Sequence, residues 1–143
     1  MWFRPGIYNR VELPEPPVKI KPSVDVDTLS KIDPDLLEDS FVYVHCYFNN
    51  VWRDMLIRVW RSTYLIDKGS GAKSSLVHAE NISIAPVWTP IPDGQVYSFL
   101  LIFTALPRSC QFFDLVEEIS QPGGFHISDI SRNKTDVYHV DIV

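Results

Sequence analysis

From Phe41 to the C-terminus, apolar and polar positions tend to alternate with a period of two, and that period predicts strands rather than helices. Residues 41–48 (FVYVHCYF), 98–103 (SFLLIF) and 136–142 (DVYHVDI) are rich in aromatic and β-branched side chains. Such side chains suit a half-buried pleated surface. Strands are predicted at 41–48, 55–60, 63–67, 75–79, 81–85, 96–103, 111–119, 124–130 and 136–142. The second and third of these read equally as one long strand bent at Arg61-Ser62, so the count is eight or nine. A spacing of about 8–12 residues with turn signals between strands is the pattern of an all-β sandwich.

The same alternation predicts which faces are buried. Phe113, Leu115 and Glu117 share one side of their strand, opposite Phe112, Asp114, Val116 and Glu118. Tyr138, Val140 and Ile142 oppose Val137, His139 and Asp141 in the same way, so both strands are expected to have one wet face. Residues 97–103 are apolar on both faces and belong at the centre of the fold. Residues 68–73 (KGSGAK) form a hairpin loop, and residues 86–94 (PVWTPIPDG) a proline-rich crossover.

Residues 1–40 break the pattern, since they hold six of the eleven prolines. Proline lacks the amide donor and fixes φ, so this stretch reads as an extended arm before a domain at 41–143. Residues 33–38 (DPDLLE) predict one helical turn, capped by Asp33 with Pro34 at its first position. Trp2, Phe3, Ile7, Tyr8, Val11 and Leu13 give the arm apolar content that needs burial, in cis or against a neighbouring subunit.

Charge then narrows the choice of partners. The net charge of −5 is spread over the chain, with five Lys/Arg and eight Asp/Glu in residues 1–40 and eight and ten in the rest. A mildly acidic surface repels phosphate backbones, so nucleic acid is not the expected partner. No stretch approaches the roughly 20 apolar residues of a membrane span, and the first ten residues lack a signal-peptide core. With Met1 as the natural start, the expected compartment is the cytoplasm.

Motifs that suggest chemistry dissolve on inspection. Residues 69–75 (GSGAKSS) resemble a phosphate-binding loop, but Ala72 separates Gly71 from Lys73 and the following residues are strand-like. Cys46, Trp60 and Cys110 loosely follow the Cys–Trp–Cys order of antibody domains, yet Cys110 follows a turn and Arg108 stands where a tyrosine is expected. Two free thiols are the expectation in a reducing compartment. His45 and Cys46, the only adjacent soft ligands, face opposite sides of a strand, so no metal or cofactor is expected. Glu117 and Glu118 likewise diverge, no Gly-x-Ser-x-Gly elbow exists, and no catalytic residues are assigned.

What remains points to recognition. Arg58 and Trp60 lie two apart on a strand and are expected to pack as a cation–π pair. Trp88, flanked by prolines in the crossover, is expected to plug the core beneath a sheet edge, with an exposed anchor as the other reading. Trp88, Trp52, Arg58, Trp2 and Phe3 are therefore the candidate partner-binding residues.

The order of residues 56–60 (LIRVW), 63–67 (TYLID), 76–82 (LVHAENI), 98–103 (SFLLIF) and 113–117 (FDLVE) resembles the small immunoglobulin-like, telokin-like domains of many bacterial proteins, notably of the Bacteroidota. The resemblance implies an immunoglobulin-like antiparallel β-sandwich of seven to nine strands with no known enzymatic activity, and for many such domains an envelope location. The expected function is a non-catalytic interaction or structural module that binds a protein partner or itself. The alternatives are a carbohydrate or small-ligand binder using Trp52, Trp60 or Trp88 as stacking platforms, and an unrecognised hydrolase.

Overall fold

The computed structural model describes residues 1–3 and 40–142. The rest of the proline-rich stretch, with the helical turn expected at 33–38, lies outside the described residues. Among the described residues there are ten strands: β1 (Trp2–Phe3), β2 (Val42–Asn49), β3 (Leu56–Ile57), β4 (Thr63–Asp67), β5 (Lys73–Glu80), β6 (Thr89–Pro90), β7 (Val96–Phe103), β8 (Phe112–Glu117), β9 (His126–Ser131) and β10 (Val137–Asp141). The fold is all-β. Among the described residues no helix is long and apolar enough to cross a membrane.

Seven strands form one sheet in the order β10-β2-β7-β5-β4-β8-β9. β5 is where this sheet turns. Its first residues pair with β4, its last with β7, and the register shifts between Leu76 and His78. Such an irregularity bends a strand and adds twist. The sheet therefore curls towards a barrel and brings β8 opposite β10, where the rings of Phe113 and Tyr138 meet edge to face at 4.9 Å.

One feature departs from the expected antiparallel arrangement: β10 runs parallel to β2. β7 already occupies the other edge of β2. The chain crosses from β9 beside the start of β2, where the Tyr43 amide donates to the Asp136 carbonyl. From that end β10 can only run in the direction of β2.

Two expected strands are also cut down. Of residues 55–60 only Leu56–Ile57 are strand, in a small sheet of order β1-β3-β6. Residues 81–85 form none, because Asn81 takes a left-handed φ of 63° that ends β5. Ile84 keeps only an isolated parallel bridge to Val59.

The buried faces follow the alternation. Val42, Val44, Cys46 and Phe48 of β2 and Tyr97, Phe99, Leu101 and Phe103 of β7 enter one continuous core. Tyr97 to Phe103 are buried without a gap, as two apolar faces require. On β8, Phe113, Leu115 and Glu117 are buried and Phe112 is exposed, but Asp114, expected on the wet face, is buried as well beneath groups from β9 and the end of β4. The 68–73 loop is a hairpin: Asp67 accepts the Gly69 amide and the Ser70 hydroxyl, and Gly71 supplies a φ of 78°. Those two hydrogen bonds hold the Asp67 carboxyl below its ordinary range.

Candidate functional site

The small sheet sits at one end of the barrel-like fold, near the end of β2 and the starts of β4 and β7. β3 lies between β1 and β6, with Trp2 across from Ile57 and Ile57 across from Thr89. Ile57 and Val59 point into the core, whereas Arg58 lies at the half-buried surface between them. Its guanidinium carbon stands 3.8 Å from the centroid of the Trp88 ring and 5.1 Å from that of Trp60. One of its nitrogens donates to the Pro86 carbonyl at 3.0 Å. The expected Arg58–Trp60 stack is present, and Trp88 completes it from the crossover. Trp88 is thus half-buried against Arg58 and is not among the residues of the core cluster.

Two loops flank this stack. Asn50 is fully buried and joins them: its side-chain amide donates to the Pro92 carbonyl at 2.7 Å, and its side-chain oxygen accepts the Trp52 amide at 3.0 Å. The Asp54 amide donates to Asp93 at 3.0 Å, and Ile91 donates to the Met55 carbonyl. Trp52 therefore rides on a loop held at its base, with 46 % of its surface exposed. Replacing Asn50 with Ala leaves a buried carbonyl and an amide without their partner, which should cost about 2 kcal/mol. Chemical denaturation would measure that loss, and hydrogen exchange should show faster exchange of the Trp52 amide.

Beneath the stack lies a buried acid that sequence reasoning had placed only as a core-facing position. Glu117 accepts the Trp60 amide at 3.2 Å and stands 3.3 Å from the Met1 ammonium. The ammonium also donates to the Gly123 carbonyl. Burial raises the Glu117 carboxyl above its ordinary value, and the ammonium and the Trp60 amide oppose that rise. These contacts tie β1, and with it Trp2, to the end of β8.

Of the candidate residues, Arg58 and Trp88 come together, Trp52 sits on the neighbouring loop, and Trp2 lies on the adjoining strand. Phe3 contributes to β1, across from Leu56. The soft ligands stay apart: Cys46 is in the core, while His45 stacks on His139 with ring centroids 4.8 Å apart. Both cysteines are free thiols, and burial raises each of them. Among the described residues no three His, Cys, Asp or Glu side chains converge on a metal-sized site. Comparison with known proteins finds no match among family models, curated proteins or solved structures.

Proposed function

We propose that this chain is a non-catalytic interaction module whose tryptophan-bearing end docks on a protein partner or on a second copy of itself. One observation carries the reading. Of the six large hydrophobic residues exposed among the described ones, five are Trp2, Val51, Trp52, Val87 and Val96, all on the small sheet or the loops and strand end beside it. Apolar surface gathered at one place marks an interaction site, where scattered residues would not. Tryptophan and arginine are also the residues that most often dominate binding energy at such sites. The stack on Arg58 and the buried Asn50 hold this end rigid, which lowers the entropic cost of docking.

The immunoglobulin-like identity and a bacterial source belong to the same proposal. Mostly antiparallel strands curled around one core are compatible with that identity. The same end argues against sugar stacking on Trp60 or Trp88, because each presents a ring to the Arg58 guanidinium.

Affinity capture from the native host, together with size-exclusion chromatography and light scattering, tests the proposal. A Trp52→Ala, Val87→Ser double variant should lose the captured protein or the dimer while keeping its fold. Capture and assembly state unchanged by the double variant would overturn it.

A further inference from the structure

We infer a second binding site, for a neutral polyhydroxylated ligand such as a saccharide, on the outer face of β4, β8 and β9. It stands apart from the docking end and does not rest on that reading. An open depression of about 470 Å³ lies there. That volume lies within the roughly 300–1,000 Å³ of small-molecule sites. Its floor includes Tyr64, Ile66 and Val116, all half-buried and spaced two apart on neighbouring strands. The Lys73 ammonium lies 4.4 Å from the centroid of the Tyr64 ring, so Ile66 and Val116 are the apolar floor left for the C–H face of a sugar ring.

The polar groups are built, not merely gathered. Asp114 points away from the core and yet is buried. It accepts His126 Nε2 at 2.8 Å, the Asp129 amide at 2.9 Å and Lys68 Nζ at 3.4 Å. Burial works against its charge, but these donors prevail and hold its carboxyl below the ordinary range. An ionised carboxylate only accepts, so Nε2 of His126 carries the hydrogen, and in the neutral ring Nδ1 is an acceptor. The imidazole is thereby oriented while 55 % of its side chain stays exposed. Glu118 is exposed at the cavity, and burial together with this neighbouring carboxylate raises the Tyr64 phenol.

Charge selects the ligand class. Asp67, Asp114 and Glu118 line the depression with Lys68, and the Lys73 ammonium lies over the Tyr64 ring, so three carboxylates stand against two ammonium groups and an anion is not favoured. A cationic ligand meets Lys68, already paired with Asp114 and Asp129. A neutral ligand with hydroxyls that both donate and accept suits the donor Lys68 beside the acceptors Glu118 and His126 Nδ1.

The test is an amide and imidazole chemical-shift titration of the whole chain with glucose, galactose, mannose, xylose, maltose and cellobiose. At least one should give saturable shifts at His126, Lys68 and Val116 with Kd in the range of about 1–10 mM. His126→Gln and Glu118→Gln change exposed groups and should keep the fold, as circular dichroism would show. Each should weaken that Kd about tenfold. Absence of saturable shifts up to about 50 mM of every sugar would overturn the inference. So would shifts that neither variant alters, or stronger binding at the same residues by inorganic phosphate or ethylamine.

Discussion

Phe113→Ala is expected to lower the unfolding free energy by about 4 kcal/mol, within the range for truncating a buried phenylalanine. Phe113 is wholly buried in the core cluster and meets Tyr138 edge to face at 4.9 Å with an interplanar angle of 81°. It thus joins β8 to β10, which are not hydrogen-bonded neighbours. The loss has three parts: the transfer free energy of the ring, the cavity left behind, and the aromatic contact, the last worth about 1 kcal/mol. Phe112→Ala is the control, because Phe112 is 48 % exposed on the other face of the same strand. Its effect should stay within about 0.5 kcal/mol. Urea denaturation measures both, with an unchanged m-value showing that the same transition is being compared. Equal losses at the two positions would contradict the one-sided burial of β8.

Glu117→Ala is expected to cost about 3 kcal/mol, because it strands the Met1 ammonium inside the protein and removes the acceptor of the Trp60 amide. Glu117→Gln keeps an oxygen for that amide and separates charge from shape, so it should cost less. The two variants also part company in their dependence on pH. The folded carboxyl titrates above its unfolded value, so the folded state holds its proton longer. Stability contributed by Glu117 is therefore greatest below the unfolded value and falls as pH rises through the raised folded one. Subtracting the stability of the Gln variant from that of the original chain, pH by pH, should leave this slope. A flat difference across the acidic range would mean that Glu117 is not buried as described. The Ala variant should in addition loosen β1, which hydrogen exchange at the Arg58 amide, bonded to the Met1 carbonyl, would report.

Local chemistry explains why so much of the fold could be read in advance. In β7, β8 and β10 the pleat sends neighbours to opposite faces, so the spacing of apolar residues states their burial directly. The hairpin at 68–73 was equally legible, since Gly71 sits where a left-handed φ is needed. The Arg58–Trp60 stack followed from a separation of two along an extended chain. The strand expected at 81–85 failed because Asn81 can adopt a left-handed conformation that its side-chain type only permits.

The candidate sites were legible only in pieces. Trp88 and Arg58 are thirty residues apart, and only the pairing of β6 with β3 brings the ring over the guanidinium. Asp114, His126 and Lys68 come from three strands or their ends, and each alone looks like an ordinary polar surface residue. No local pattern marks Asp114, because it differs from a solvated aspartate only by what β4 and β9 bring to it.

The sequence by itself determined the period, and with it the all-β class, the central strand at 97–103 and the inward faces of β8 and β10. Those properties depend on residues adjacent along the chain. The tertiary structure alone decided the parallel run of β10 beside β2, the curling of the sheet at β5, the ion pair of Glu117, and the gathering of exposed apolar side chains at one end. Each of these joins residues far apart in the chain, and their meeting depends on the path of the backbone, which no local spacing encodes.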